Sequence, residues 1–418
     1  MTPEKLFHEL LGLGLSWEVT ACQYDRNQSK VLLQLRETPA LWQGERCPKD
    51  GGRISAYDHT EPLRWRHLNV FEHECDIECR LPRGRCRHCG HTYRVRPPWE
   101  GLSKHFTKAF EAFALVLLRE MPVAKAAATL GETDQRLWRM LGAHVERAYA
   151  EADFSQVTRV GVDELSRRKG QHYVSIFADL ARERVLFATE GRDAATWDRF
   201  CDALGTHHGH PHALTEVSMD MSPAYIAGVK SCCRNAAIVF DKFHVIAQAN
   251  HAVDLVRRAE RRRGAAGARQ QLQQTQWLWR KNPENLTVTE QARLARIDQQ
   301  HLATAKAYQM RLALQDIYRL PTAGQAKRRL TAWCRWVRSA ARRQRSGLLW
   351  AIEKVAGMIE RHWAGILAYW THHTTNSWLE ALNSLLQAIK RRARGYRTST
   401  NLIRIIYFVA ANLRLPAF

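Results

Sequence analysis

Between Val157 and Asp241 the chain passes through five short segments rich in β-branched and aromatic residues. Their order constrains the fold more than any other feature of the sequence. Val157–Asp163 (VTRVGVD), His172–Leu180 (HYVSIFADL) and Arg184–Thr189 (RVLFAT) follow one another directly. A helical segment, Asp193–Leu204, separates them from Leu214–Asp220, and a helix starting at Ser222 leads to Ala236–Asp241. Runs of this length and composition read as strands. Three adjacent strands followed by alternating helices and strands imply a mixed sheet covered by helices.

The flanks differ. Residues 1–45 read as a small β-rich start, because Val31, Leu33 and Leu35 alternate with Leu32, Gln34 and Arg36. Residues 46–100 hold cysteines, glycines and arginines and end at Pro97-Pro98-Trp99, a natural boundary. From Ser103 to about Glu151 the pattern is helical, with Phe106, Ala109, Phe110, Phe113, Ala114 and Leu117 at helical spacing. After Lys242 the strand signal disappears, and the chain reads as helices to its end. A chain of 418 residues divides into several domains.

Lys and Arg number 63 against 41 Asp and Glu, a net charge of +22. That excess argues against an acidic metabolic enzyme and points to a polyanionic partner, most simply nucleic acid. No signal peptide is evident at the N-terminus, and no apolar run reaches the ~18 residues of a membrane span. Five of the ten cysteines fall close together, at Cys47, Cys75, Cys79, Cys86 and Cys89. Such clustering reads as metal before disulfide.

Cys86-Arg-His-Cys89-Gly is a knuckle in which two thiolates can grip one Zn²⁺. Cys47-Pro-Lys-Asp50-Gly51 has the same shape, with Asp where a second cysteine is usual. A site of Cys47, Asp50, Cys86 and Cys89 is chemically allowed, because zinc accepts carboxylate oxygen. His59, Cys75, Cys79, His88 or His91 are alternatives to Asp50, although Cys75 and Cys79 read better as buried strand residues. The plainer reading of the knuckle is a pair of reduced surface thiols.

Ala127 and Gly131, four apart in VAKAAATLGETDQRLWRML, suit two closely crossing helices joined by a glycine turn. The second helix, about Thr133–Val145, would enter a major groove with Gln135, Arg136 and Arg139 as DNA contacts. An ordinary helical hairpin fits the spacing equally well; the charge favours DNA.

Asp163 closes the first strand and Asp220 the fourth. If those strands are neighbours, the two carboxylates converge. Two carboxylates and a third from a helix are what two Mg²⁺ ions need for in-line attack on a phosphodiester. Glu380 is the outstanding third, in Asn376-Ser-Trp-Leu-Glu380-Ala-Leu-Asn383, with the polar residues Asn376 and Asn383 one turn to either side. Lys390, Arg391, Arg392, Arg394 and Arg397 follow directly and are placed to hold substrate phosphates. A lone Asp at a strand end is more often a helix cap or a solvated turn.

Further basic clusters occur at Arg257, Arg258, Arg261, Arg262 and Arg263, and at Lys327, Arg328, Arg329, Arg335, Arg338, Arg342, Arg343 and Arg345. They read as DNA contacts or, taken singly, as solvated helix faces. Eight of the 14 tryptophans lie between Trp277 and Trp378, mostly as packing residues, with one or two available to stack on an unpaired base near a cut end. Thr206–His212, with four histidines, reads as a loop.

Taken in order, Val160-Gly-Val-Asp163-Glu164, Val217-Ser-Met-Asp220-Met-Ser-Pro-Ala-Tyr225, Asp241-Lys-Phe-His244, and Asn376–Asn383 running into Ile389-Lys-Arg-Arg-Ala-Arg-Gly-Tyr396 resemble the DDE-type transposases of bacterial insertion sequences, specifically the ISL-three family. The Cys-Pro pair, the cysteine knuckle and the Pro-Trp after it also match in order, so the resemblance covers nearly the whole chain. It implies a multidomain α/β protein: a ribonuclease H-like mixed sheet with a helical insertion, preceded by a zinc-finger domain and a helix-turn-helix domain. The corresponding boundaries are 1–100 (zinc finger), 101–152 (helix-turn-helix), 153–245 (first part of the catalytic core), 246–369 (insertion) and 370–418 (final core helices with Glu380). It also implies that Asp163, Asp220 and Glu380 form the metal triad, and that Asp241-x-x-His244 has a supporting role. Asp50 departs from the family, which usually has a second cysteine there.

The expected function is a transposase that binds terminal inverted repeats and catalyses strand cleavage and strand transfer. Two Mg²⁺ ions would serve the reaction, with Mn²⁺ able to substitute, and a structural Zn²⁺ the finger. The partners would be double-stranded DNA, both element ends and target, and further copies of the chain in a homodimer or larger assembly, since two ends are cut together. No membrane is expected; the location would be the bacterial cytoplasm, at the nucleoid. The alternative is a non-catalytic repressor derived from a transposase, against which the intact triad argues. A structure-directed nuclease would not need the N-terminal half.

Overall fold

In the N-terminal region, helix α1 (Pro3–Leu10) precedes strands β1 (Trp17–Asp25) and β2 (Lys30–Glu37), the short helix α2 (Leu41–Gly44), and strands β3 (Ile54–Val70), β4 (His73–Cys86) and β5 (Thr92–Arg94). The strands form one sheet in the order β1-β2-β4-β3, with β5 paired to β4. Alternation places Val31, Leu33 and Leu35 inside. Cys75 and Cys79 alternate with Ile77 on the same buried face of β4, which makes them core residues rather than metal ligands. Trp99 stands edge-on to Trp17 and Trp65, with ring centroids 4.9 and 6.0 Å away.

Three helices follow: α3 (Lys108–Glu120), α4 (Val123–Leu130) and α5 (Asp134–Ala150). Gly131, at φ 70°, ends α4 in the left-handed conformation that glycine adopts without strain, and Thr133 caps α5 by accepting the Arg136 N–H. Glu111 is buried under this group. It accepts from the backbone N–H of Leu102 and Ser103 and pairs with His144 Nε2 at 2.9 Å.

The computed structural model describes residues 1–168, 172–263, 266–297, 301–344, 346–374 and 376–417. It divides into two units. One comprises Met1–Ala152 and the chain from Ala388 onward; the other is Asp153–Gln387.

The second unit holds β6 (Arg159–Arg168), β7 (His172–Asp179), β8 (Arg184–Glu190), α6 (Ala194–Thr206), β9 (Glu216–Met219), α7 (Pro223–Cys232) and β10 (Ala237–Phe240). All five expected strands are present, in the order β10-β9-β6-β7-β8. Both pairings of β7, with β6 and with β8, are antiparallel, whereas β6–β9 and β9–β10 are parallel. The helices between the last strands supply the crossovers that parallel pairing requires. Phe177 stacks on Phe200 at 4.3 Å, and Trp197 packs so tightly against Gly228 that a Cβ there would lie 2.4 Å from its ring.

The chain is then helical, as expected: α8 (Lys242–Arg263), α9 (Ala266–Gln271), α10 (Val288–Ala295), α11 (Ala303–Ile317), α12 (Ala323–Arg343), α13 (Trp350–Arg361), α14 (Trp363–Leu367) and α15 (Tyr369–His372). Buried Glu260 of α8 accepts from the backbone N–H of Ala303 and Thr304, which fixes the start of α11. Trp279, Trp333 and Trp370 are buried; Trp277 and Trp350 are exposed.

Helix α16 (Ser377–Arg392) and helix α17 (Ser399–Ala410) complete the chain. From Ala388 onward the chain packs with the N-terminal unit, not with the α/β unit as the boundary at residue 370 implied. The reason is specific packing on α5. Tyr407 lies 4.5 Å from Tyr149, and Arg404 pairs with Glu146 at 2.8 Å.

Candidate active site and metal centre

Register brings three aspartates level. Gly161 of β6 pairs with Ser218 of β9, and Met219 of β9 with Phe240 of β10. Continuing along these parallel strands places Asp163, Asp220 and Asp241 side by side. Asp220 and Asp241 follow the last residues of β9 and β10, whereas Asp163 does not close its strand as expected but lies midway along β6, which runs on to Arg168 in its pairing with β7. Each uses one oxygen locally: Asp163 Oδ1 accepts from the Glu164 N–H, Asp220 Oδ1 from Ser222, and Asp241 Oδ1 from Phe243. These are local backbone contacts, and each occupies only one oxygen of its carboxylate; Asp163, inside β6, caps no helix. Asp241 is fully buried, and its Oδ2 has no partner among the described residues.

Helix α16 docks on the sheet at Gly161. A Cβ there would come within 2.7 Å of Leu379 and 3.1 Å of Asn376, so glycine permits the approach. Asn376 is buried and donates through Nδ2 to the Val162 carbonyl at 3.4 Å. Asn383 Nδ2 donates to Asp163 Oδ2 at 2.6 Å. Glu380 lies between them on the same helical face.

Burial raises the Asp163, Asp241 and Glu380 carboxyls above their ordinary values. Repulsion adds to this, from Asp220 and Asp241 on Asp163, and from Asp241 and Asp163 on Glu380, while His244 opposes it in all three. Glu164 is likewise raised, first by burial and then by Asp220. Several carboxylates short of positive charge, one with an orphaned buried oxygen, form a donor set suited to a hard divalent cation. Asp220 and His244 also border a groove of about 560 Å³ walled by α8 and α13, with His251, Trp350, Lys354 and Arg361 along it.

The cysteine cluster is tighter. The ligand atoms of Cys47, Asp50, Cys86 and Cys89 all lie within 4.8 Å of one another; among the described residues no other group of His, Cys, Asp and Glu does so. Cys47 and Cys89 sulfurs are 3.7 Å apart, and Cys86 Sγ is 3.4 Å from Asp50 Oδ1. The backbone N–H of Gly52 fixes the Asp50 carboxylate and holds it well below the usual carboxylate range, with the neighbouring thiols and His88 adding to the effect. His88 Nδ1 contacts Asp50 at 3.0 Å, His59 pairs with Glu37, and His91 stacks on Tyr93.

Three family models match in chain order. A zinc-finger of transposases IS204/IS1001/IS1096/IS1165 covers residues 43–89, the helix-turn-helix domain of transposase family ISL3 covers 103–145, and a transposase model covers 160–406. The chain belongs to the ISL3 family of transposases. It is 28% identical to the transposase for insertion sequence element IS1557 of Mycobacterium tuberculosis, over 98% of this chain and 96% of that one. It is also 27% identical to the transposase for insertion sequence element IS1001 of Bordetella parapertussis, over 93% and 94%.

In this ISL3 transposase Asp163, Asp220, Asp241, His244, Asn376, Glu380 and Asn383 all belong to the α/β unit. The basic tract Lys390–Arg397 belongs to the other. Of the expected DNA contacts, Gln135, Arg139, Arg261, Arg391, Arg392, Arg394 and Arg397 are exposed. Arg257 is not: it is buried and bonded to Asp254 at 2.8 Å, so it serves the packing of α8. Arg258 pairs with the same carboxylate at 2.7 Å while remaining half exposed. Arg136 is tied down by Glu132 and lies 4.6 Å over Phe106. Arg338 pairs with Glu360, and Arg345 lies outside the described residues.

Sequence reasoning missed Glu164 and the groove residues His251, Trp350, Lys354 and Arg361. Glu164 had a signal, its position beside Asp163. The groove residues had none, because only the packing of α8 on α13 aligns them.

Proposed function

We propose that the chain binds the terminal inverted repeats of an insertion sequence and catalyses metal-dependent DNA cleavage and strand transfer at Asp163, Asp220 and Glu380. The observation that carries this reading is the level row of aspartates across three parallel strands, one within β6 and two just past β9 and β10, beside the helix that docks at Gly161. The strand order, a three-stranded antiparallel meander flanked by two parallel strands, supports a ribonuclease H-like core with α8–α15 as its insertion.

Asp163, Asp220 and Glu380 would hold two Mg²⁺ ions, or Mn²⁺ in their place; bound, these would activate the attacking oxygen and stabilise the leaving one. Asn383 orients Asp163, Asn376 holds α16 against β6, and His244 offsets the negative charge. Asp241 supports α8 and shapes the field around the triad. The groove beside Asp220 and His244 has the cations and the exposed aromatic ring that a DNA strand near the scissile phosphate requires. Water attack would leave a 3′-hydroxyl at the element end, and that hydroxyl would attack target DNA. Both are in-line displacements at phosphorus, so one site serves both.

Cys47, Asp50, Cys86 and Cys89 would bind a structural Zn²⁺, and α4–α5 would read duplex DNA through Gln135 and Arg139. Cutting two ends together calls for a homodimer or larger assembly, acting at the nucleoid in the bacterial cytoplasm. No helix among the described residues is long and apolar enough to cross a membrane.

The test is incubation of the chain with duplex carrying the element's own ends, with and without Mg²⁺. Nicks at the repeat boundary that leave 3′-hydroxyls, followed by joining to a second duplex, are expected. Binding without cutting in Mg²⁺ or Mn²⁺ would move the reading to a repressor.

A further inference from the structure

The basic tract that follows Glu380 in sequence is built onto the helix-turn-helix. Helix α16 stops in a left-handed turn: Arg394 has φ 55° and Gly395 φ 91°, and the Gly395 N–H returns to the Lys390 carbonyl at 2.9 Å. The turn delivers Tyr396 edge-on to Trp138 of α5, with centroids 6.2 Å apart at 79°. Ile389 and Tyr396 face Leu118, Val123 and Ile405 in a small apolar pocket, so the end of α16 is seated on α3 and α4. Helix α17 then crosses α5 at Gly142, where a Cβ would lie 2.7 Å from the Arg404 guanidinium, and the Arg404–Glu146 pair fixes the crossing.

This arrangement determines which part of α5 is open. Gln135 and Arg139 are exposed on its first two turns, whereas Gly142, one turn further along that side, is covered. A reading helix contacts bases through its N-terminal turns. Arg394 and Arg397, both exposed, flank the Tyr396 that touches Trp138, the residue next to Arg139. From Ala388 to Phe418 there are seven Lys and Arg and no Asp or Glu.

We propose that the turn Lys390–Arg397 and the first two turns of α5 form one surface for double-stranded DNA, with Gln135 and Arg139 at base edges and Arg394 and Arg397 on flanking phosphates. The inference rests on the reading of α4–α5 as a DNA reader, and it assigns the tract to recognition rather than to the reacting phosphates.

Equilibrium binding of the full chain to terminal-repeat duplex and to unrelated duplex, without divalent cations and across a salt series, tests it. Arg394→Ala/Arg397→Ala should weaken both complexes alike and lower the log–log salt slope by about 2, since each phosphate contact contributes ~0.9. Arg394→Lys/Arg397→Lys should restore most of the slope. Gln135→Ala should lose roughly tenfold on terminal-repeat duplex alone. An unchanged slope in the double alanine variant overturns the inference, the more so if its nicking at saturating DNA falls, because the tract would then serve the reacting phosphates. If wild type shows no preference for the terminal duplex, the underlying reading of α4–α5 fails instead. Matching thermal midpoints exclude misfolding as the cause of any loss.

Discussion

Cys47, Asp50, Cys86 and Cys89 come from two tight turns that the β3–β4 ribbon brings together through its Ile54–Cys86 pair. Asp163, Asp220, Asp241 and Glu380 come from four elements, three strands and a helix, spread over more than half the chain. The first group packs soft sulfur donors within 4.8 Å, around a carboxylate already fixed by backbone. The second leaves hard oxygens further apart, with the Asp163, Asp241 and Glu380 carboxyls raised by burial and one Asp241 oxygen unpartnered among the described residues. A closed set of ligands suits a structural ion and an open set suits a reacting one. The first is a property of a local hairpin; the second exists only when the whole sheet and α16 are assembled.

The contrast can be broken most severely at the zinc turns. Structural zinc in small domains contributes roughly 10–16 kcal/mol of apparent binding energy at pH 7. Cys86→Ala should abolish the expected one zinc per chain, measured by atomic emission, and unfold the turns as seen by circular dichroism. Asp50→Cys should keep the zinc, since it restores a four-thiolate set. Full zinc affinity in Asp50→Ala would remove Asp50 from the ligand set.

A smaller effect separates local folding from catalysis within the helical group. Burial alone would raise the Glu111 carboxyl, but His144, Ser103 and the N–H groups of Leu102 and Ser103 outweigh it and hold it below its ordinary value of 4.5. A carboxyl depressed on folding stabilises above its unfolded value, and that contribution fades as pH falls through the folded one. Glu111→Gln should therefore cost about 3 kcal/mol at neutral pH, because it removes the charged acceptor of several buried hydrogen bonds. In denaturant titrations the gap to wild type should narrow below pH 4.5. An equal gap at both pH values would show that the charge of Glu111 contributes nothing.

Gly161→Ala tests the assembly of the open site. The added methyl meets the terminal methyls of Leu180 and Leu379 and crowds Asn376, so the packing of α16 on β6 is disturbed, at about 1–3 kcal/mol. Nicking should fall while duplex affinity holds. Unchanged nicking would mean that the position of α16 is not critical.

Legibility in the sequence follows the same divide. The five strands around Asp163, Asp220 and Asp241 were legible because each is short and β-branched and is bounded by turn residues. The Gly131 turn and the start of the second helix near Thr133 were legible because they are local. Glu380 was singled out through the spacing of Asn376 and Asn383, and the contacts of those two asparagines with Val162 and Asp163 are explicit in the structure. Arg257 was misread because nothing in a run of arginines shows which one Asp254 draws inward. The grouping of Lys390–Arg397 with the N-terminal unit was not legible, because proximity to Glu380 in sequence concealed a left-handed turn and the Trp138–Tyr396 contact. Helix α1 and the length of the β3–β4 ribbon also escaped notice, since both depend on pairing and packing across the sheet.

The central claim, that Asp163, Asp220 and Glu380 carry out strand cleavage, is tested most directly with Glu380→Gln on duplex bearing the element's own ends in Mg²⁺. The side chain keeps its shape and loses its charge. Binding should match wild type while nicking at the repeat boundary falls on the order of 10³-fold, the scale of losing one charge-stabilising group from a reaction centre. Cutting by Glu380→Gln at the wild-type rate would contradict the account and place the third carboxylate elsewhere.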